Sequence, residues 1–294
     1  MKCGYISIVG RPNVGKSTLL NKIVNMDISI VSDVFGTTLN SIKGIYTDLD
    51  SQLIFIDTPG VSKAMNKLGK KTNSFVYDSL DICDVILFLV DSSVYFGKTD
   101  KFILNKIKQE NKPCFLILTK IDKIKDKSLL FKKIDELKKE YEFNEIIPIS
   151  SINNSNIDDL IKTIKKYLPQ RDKIYEEDDI TDISMRFIAS EIVRLSVLEN
   201  TYDELPHHVM CKTIYYKESD NKLNISVDII VDRDNLKALV IGKSGSNIKK
   251  IGIDSRERLE KFLNKHVNLE THVRCQKDWQ NNEMFLREEF DNEN

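Results

Sequence analysis

Gly10-Arg11-Pro12-Asn13-Val14-Gly15-Lys16-Ser17 lies between an apolar run, Tyr5 to Val9, and a helix-periodic run, Thr18 to Val24, and carries the spacing G-x-x-x-x-G-K-S/T. That spacing decides the fold of everything around it. The backbone must bend tightly and turn its N–H groups inward with no Cβ in the way, which requires glycine at Gly10 and Gly15. Phosphate oxygens gathered there also meet the positive end of the helix that opens at this point. Lys16 reaches the outer phosphates and the Ser17 hydroxyl is placed to ligate Mg2+. The stretch reads as a nucleotide site at the end of a buried first strand.

At 294 residues the chain suits two domains, each large enough to bury its own core. A hydrophobic content of 41% with 30% charged residues is that of a folded globular chain and excludes a disordered one. The net charge of −1 conceals an uneven distribution, because residues 173–294 carry 18 Lys and Arg against 24 Asp and Glu. Any nucleic-acid contact must therefore come from a local patch. Cys3, Cys83, Cys114, Cys211 and Cys275 form no C-x-x-C pair, so they read as reduced, mostly buried thiols of a cytosolic protein. The four histidines show no metal-ligand spacing, and His207-His208 reads as a polar turn after Pro206. The N-terminal run is too short for a signal peptide, and no segment approaches the roughly 18 consecutive apolar residues that span a bilayer.

Short apolar runs recur at Leu53 to Ile56, Val85 to Val90, Cys114 to Leu118 and Ile146 to Ile149, separated by helix-periodic stretches at Asp100 to Gln109, Leu129 to Tyr141 and Ile157 to Tyr167. That alternation predicts an α/β domain, a mostly parallel sheet with helices on both faces. Ligands of such sheets bind at the carboxyl ends of the strands, where the remaining motifs fall. Asp57-Thr58-Pro59-Gly60 follows one strand, so Asp57 can hold the Mg2+ shell and Gly60 can offer its N–H to a γ-phosphate, although D-x-P-G is also ordinary turn chemistry. Thr37-Thr38 sits in an aperiodic stretch, Asp33 to Ile42, and the Thr38 hydroxyl by preference completes the metal shell. Thr119-Lys120-Ile121-Asp122 closes the strand Cys114 to Leu118. A carboxylate at Asp122 accepts from the two donors of guanine, whereas adenine would leave it unpaired, so this turn selects GTP over ATP. The methylenes of Lys120 cover the base. Alone, T-K-x-D is equally a polar surface turn; after two other motifs in order it is more.

This order of motifs resembles the Ras superfamily of GTPases, and G-R-P-N-V-G-K-S-T-L-L-N resembles its Era branch across nearly the whole chain. The resemblance implies a nucleotide contact set of Gly10, Arg11, Pro12, Asn13, Val14, Gly15, Lys16, Ser17 and Thr18, then Asp57, Thr58, Pro59, Gly60 and Val61, then Thr119, Lys120, Ile121 and Asp122, with Ser150 and Ser151 behind them. Ser17, Thr38 and Asp57 form the implied metal set, and Lys16, Asn13, Gly60 and Thr38 the implied catalytic one. Three residues depart from the Era pattern. Thr119 replaces an Asn whose amide braces the loop, although other GTPases also carry Thr there, Ser150-Ser151-Ile152 stands where relatives have Ser-Ala-Lys, and Leu39 follows Thr38 where relatives often have Arg. Val61 occupies the position of the Ras-type Gln that orients attacking water, and valine cannot hydrogen-bond to water. Hydrolysis must then rely on backbone groups, Mg2+ and another cation. Asn13 resembles an Asn that ligates K+ in related GTPases; its other reading is a turn residue in a glycine-rich loop.

Leu168-Pro169-Gln170-Arg171 and the acidic run Glu176-Glu177-Asp178-Asp179 mark a boundary, which gives domains over residues 1–170 and 183–294 with a solvated acidic linker over 171–182. An amphipathic helix, Ile183 to Leu198, is followed by strands His208 to Tyr216 and Leu223 to Val231 about a hairpin turn at Ser219-Asp220-Asn221. Ile241-Gly242-Lys243-Ser244-Gly245-Ser246 then enters a helix carrying Lys249 and Lys250, and a strand, Val267 to Arg274, ends the pattern. A G-x-x-G loop in this arrangement resembles the bacterial-type (type II) KH domain, a smaller α+β fold whose loop clamps single-stranded nucleic acid through its backbone. Residues 243–265 hold seven basic side chains against three acidic ones, although residues 173–294 as a whole carry a net charge of −6. The competing reading is a solvated helix face and an ordinary glycine turn.

Met185-Arg186-Phe187 and Trp279 extend the Era likeness. The likeness implies a GTP- and GDP-binding monomer of the bacterial cytoplasm that hydrolyses GTP with Mg2+ and is stimulated by K+. It implies binding to the 3′ end of small-subunit rRNA, a role in assembling the small ribosomal subunit, and peripheral contact with the inner membrane, which no residue here shows. Two other classes stay open: a GTP-binding RNA scaffold with little turnover, and a membrane or division regulator whose KH-like domain docks protein.

Overall fold

The computed structural model describes residues 1–31, 38–61, 64–201, 205, 208–219 and 222–290. Thr37, Pro206, His207, Asp220 and Asn221 lie outside the described residues, and with them parts of the two turns and of the aperiodic stretch anticipated above. The chain divides into two compact units, one from most of residues 1–182 and one from Ile183 onward together with Ala64–Lys70.

Through residue 182 the order is β1 (Lys2–Val9), α1 (Lys16–Val24), β2 (Ile42–Thr47), β3 (Ser51–Asp57), α2 (Lys67–Ile82, of the first unit from Lys71 on), β4 (Val85–Asp91), α3 (Lys98–Ile107), β5 (Cys114–Thr119), α4 (Lys127–Glu140), β6 (Glu145–Pro148) and α5 (Ile157–Tyr167). The sheet runs β2-β3-β1-β4-β5-β6, parallel throughout except for the antiparallel β2–β3 pair. Every residue of β3, β4 and β5 is buried, because helices cover both faces, and this is why these strands read as unbroken apolar runs rather than alternating ones. Parallel register brings the carboxyl ends together: Ile8 pairs with Asp57 and Asp91 with Thr119.

β2 was not anticipated, since its sequence lacks a continuous apolar run and it lies at the sheet edge. Its outer edge is covered. The Ile45 N–H donates to Ile180 O at 2.7 Å, the Thr181 hydroxyl to Lys43 O at 2.6 Å, and Lys43 Nζ lies 2.6 Å from Asp182. Gln52 Oε1 accepts the N–H groups of Ile174 and Tyr175. Residues 171–182, expected as a solvated linker after a domain ending at 170, are therefore fastened to the first unit, which extends through Asp182. The physical reason is that an open strand edge carries unpaired backbone groups, and this segment pairs them while Glu176 to Asp179 remain exposed.

The second unit follows the anticipated helix-strand-strand-helix-helix-strand pattern: α6 (Met185–Glu199), β7 (Val209–Ser219), β8 (Lys222–Val231), α7 (Asp234–Ile241), α8 (Ser246–Leu263), β9 (His266–Cys275) and a further α9 (Glu283–Phe290). Its three strands run β7-β8-β9, with β7–β8 antiparallel and β8–β9 parallel. Ile188, Val193, Val227, Ile229, Ile251 and Leu259 pack its core. Trp279 is fully buried, with Nε1 donating to His208 O, and His208 itself bonds Asp232 through Nδ1 at 2.6 Å. All five cysteines are free, four buried and Cys275 half-buried. Among the described residues no helix is long and apolar enough to cross a membrane.

Candidate functional site

The phosphate loop is shaped by close approach. A Cβ on Gly10 would lie 2.7 Å from Leu89 O, and one on Gly60 would lie 2.6 Å from Pro12 N, so the loop and the turn after β3 touch through glycine. Gly15 adopts φ 99°, which an L side chain resists. Asn13 adopts φ 61°, a conformation asparagine tolerates better than most residues, which gives it a backbone reason to be where it is. Lys16 is buried, and its Nζ donates to Gly10 O at 3.3 Å and Arg11 O at 3.1 Å. Burial lowers its ammonium to about 8 even with Asp57 opposing. An ammonium so desolvated gains strongly from phosphate charge. Arg11 and Pro12 are half-buried on the loop, Thr18 is half-buried in the first turn of α1, and Val14 is buried.

At the end of β3, Asp57 is fully buried and its carboxyl is pushed up by desolvation, against the pull of Lys16, Ser17 and Ser29. Oδ2 accepts from Ser17 Oγ at 2.6 Å and Ser29 Oγ at 2.9 Å, while Oδ1 has no hydrogen bond. Thr38 Oγ1 lies 3.3 Å from Ser17 Oγ. Two hydroxyls and a buried carboxylate with one unsatisfied oxygen, all hard oxygen donors, fit Mg2+. Ser29 was missed by the sequence reading. It is held there by Asn21, whose side chain donates to Ser29 O and accepts from Ser29 N, and nothing in the local sequence signals that pairing.

Thr58 and Pro59 are buried, and the Thr58 hydroxyl donates to Ile8 O at 2.8 Å, which braces the end of β3 against β1. Val61 turns its side chain into the core beside Val9, Val76 and Val90, and only its N–H faces the loop, 3.4 Å from Gly10 O. It brings no side-chain chemistry to the phosphates.

The base-reading turn is tied to the phosphate loop. Thr119 Oγ1 donates to Val14 O at 2.7 Å, so the hydroxyl supplies a brace where the sequence reading expected one to be lost with the Asn amide. Lys120, at φ 56°, sends Nζ to Asn13 O at 2.5 Å and to Asp91 Oδ2 at 2.9 Å. Ile121 N–H donates to Ile149 O at 3.3 Å. Asp122 is exposed, and its Oδ1 accepts from Ser150 Oγ at 2.5 Å, which sets the rotation of the carboxylate. Ser150 and Ser155 exchange backbone hydrogen bonds, which hold the loop with Ser151 half-buried and Ile152 exposed.

In the second unit, Gly242 and Gly245 have φ 72° and 77° and Ser244 has φ 52°, a run of left-handed residues between α7 and α8. A Cβ on Gly242 would lie 2.7 Å from Asn247 Cβ. Lys243, Ser244, Ser246, Lys249 and Lys250 are exposed, Ile241 and Gly245 half-buried. Of the seven basic residues counted in the sequence, Arg258 pairs with Asp254 and Glu199, and Lys265 with Glu218. Lys243, Lys249 and Lys250 stand exposed at the loop and the first turns of α8, and Arg256 and Lys261 lie further along the helix.

Comparison with known proteins agrees with both halves. A family described as a 50S ribosome-binding GTPase matches residues 5–120, and the KH domain family matches residues 204–280. The GTPase Era of Clostridium botulinum (strain Eklund 17B / Type B) is 43% identical over 98% of this chain and 97% of its own. That of Clostridium beijerinckii is 41% identical over 98% and 96%. Two solved structures match at TM-score 0.94 and 41% identity, each covering 98% of both chains: a variant of Aquifex aeolicus Era bound to GDP and AlF4−, and an Era in complex with MgGDPNP and nucleotides 1506–1542 of 16S ribosomal RNA.

Proposed function

The chain belongs to the Era family of GTPases, and from that premise we propose that it couples a GTP cycle to the 3′ end of small-subunit rRNA during assembly of the small ribosomal subunit. The observation that carries the reading is the exposed Gly242–Gly245 loop, with its left-handed backbone and Lys243, Lys249 and Lys250, in the same chain as a guanine-nucleotide site. The solved relative that holds both MgGDPNP and a 16S fragment supports it. Co-sedimentation with small ribosomal subunits tests it: retention must depend on whether GTP or GDP is present, and equal absence of binding with both would refute it.

In hydrolysis, Lys16 holds the outer phosphates, the Asp122 carboxylate fixes the base, and Gly60 presents its N–H beside the phosphate loop. Mg2+ held by Ser17, Thr38 and Asp57 would neutralise charge on the transferring phosphoryl group. The Val61 side chain is buried in the core, which supports slow turnover assisted by K+ near Asn13 rather than by a side chain at that position. The same burial favours, as a second reading, a GTP-binding RNA scaffold with little turnover. Single-turnover hydrolysis separates the two. We extend the proposal to a monomer in the bacterial cytoplasm with peripheral contact to the inner membrane; flotation with membrane vesicles tests the contact.

A further inference from the structure

Two carboxylates outside every nucleotide motif converge on the phosphate loop. Asp91, at the end of β4, is buried, and its Oδ2 lies 2.9 Å from Lys120 Nζ, which also donates to Asn13 O. Oδ1 of the same carboxylate is fixed by the N–H and hydroxyl of Ser93 at 2.9 and 2.6 Å. Burial alone would raise this carboxyl; hydrogen bonds from Ser93 and Lys120 outweigh it and leave it below the ordinary range. Asp100, in the first turn of α3, is fully buried. Its Oδ2 accepts Gly97 N–H at 2.9 Å, while Oδ1 has no hydrogen bond and sits 3.6 Å from Nε of Arg11. Lys133 of α4 completes the group, donating from Nζ to the carbonyls of Asp91, Ser92 and Val94 and so fixing the backbone that carries Asp91.

A buried carboxylate with an unsatisfied oxygen is costly unless a cation faces it, and here the cation is a phosphate-loop side chain. Lys120 is likewise held at both ends. Its backbone lies in the left-handed region, and its Nζ is anchored at Asn13 O and Asp91, which fixes the path of its methylenes. We propose that Asp91 and Asp100 are positioning residues for guanine nucleotide: Asp91 anchors Lys120 over the base, and Asp100 holds Arg11 so that the phosphate loop keeps its shape. This rests on the guanine-nucleotide reading of the site. Asp91 thus acts on nucleotides that have a base, whereas Asp100 acts on anything that offers phosphates.

The test uses the full chain, a fluorescent GDP, and inorganic pyrophosphate as competitor, with circular dichroism and apo melting temperature confirming that each variant folds. Wild type must prefer GDP to ADP; if it does not, the guanine reading itself fails, which is distinct from failure of the brace. Asp91→Asn should speed GDP dissociation about tenfold, about 1.4 kcal/mol, and leave pyrophosphate competition unchanged. Combined with Lys120→Gln it should add nothing to Lys120→Gln alone, because the two act as one unit. Asp100→Asn should weaken GDP and pyrophosphate by the same factor. Arg11→Gln, on a half-exposed side chain that tolerates change, should reproduce that effect if the buried Asp100 variant folds poorly. GDP dissociation within twofold of wild type in folded Asp91→Asn, or equal weakening of pyrophosphate by it, overturns the role of Asp91. Unchanged binding in Arg11→Gln overturns that of Asp100.

Discussion

Replacing Asp122 with Asn reverses what the base-reading turn presents to a purine. Ser150 Oγ donates to Asp122 Oδ1 at 2.5 Å and fixes the rotation of the carboxylate. In the Asp122→Asn variant the serine hydroxyl still requires an acceptor, so the amide oxygen takes that side and the NH2 group is turned to where Oδ2 stood. Guanine offers two donors there. One charge-assisted hydrogen bond, about 1.5–3 kcal/mol, is lost, and a donor faces donors across a desolvated gap. The combined loss is about 2–4 kcal/mol, a weakening of GDP by about 30- to 1,000-fold. Xanthine presents an oxygen in place of the exocyclic amine, so xanthine nucleotide should gain. Asp122 is exposed, and folding stability should move by less than about 0.5 kcal/mol. Fluorescence titrations with GDP and with XDP, beside a thermal melt, measure all three quantities. GDP affinity within twofold of wild type, or no gain for XDP, would falsify the assignment of Asp122 to the base.

Hydrolysis should be faster in K+ than in Na+, and Asn13→Ala should abolish the difference with GDP binding nearly intact; equal wild-type rates in the two salts refute the potassium role. The depressed Lys16 ammonium makes apo stability depend on pH: between about 8 and 10.5 the unfolded chain keeps a proton that the folded chain has released, so stability rises across that window. The rise is on the order of 3 kcal/mol, Lys16→Met should remove it, and a flat wild-type profile in denaturant titrations would refute it. Lys243→Asp combined with Ser244→Asp should end single-stranded rRNA binding, while intrinsic GTP hydrolysis without RNA stays unchanged. Wild-type RNA affinity should fall with salt at a log-log slope near 0.7 per neutralised phosphate; an unaltered slope in the double variant would mean the glycine loop is an ordinary turn.

Local chemistry was readable where one residue type alone satisfies a backbone demand. Gly10, Gly15, Gly242 and Gly245 belong to motifs because a Cβ would collide or because φ is positive, and such constraints show in a sequence without any partner being known. Strands β3, β4 and β5, buried on both faces, were legible for a second local reason, an unbroken apolar run, and α5 and the order of elements in the second unit were legible from apolar period. What the sequence left open depended on contacts between residues far apart in the chain. β2 is an edge strand without an apolar run, and pairings such as Ile45 with Ile180 and Lys43 with Thr181 show that the acidic segment is a sheet cover rather than a free linker. Thr119 looked like a lost brace until the fold placed its hydroxyl 2.7 Å from Val14 O. Ser29, Asp91 and Asp100 carry no motif at all. They belong to the site because parallel register and helix packing bring their oxygens to Asp57, Lys120 and Arg11, and an ion pair or hydrogen bond across roughly 30 to 90 residues of chain leaves no period or spacing to read.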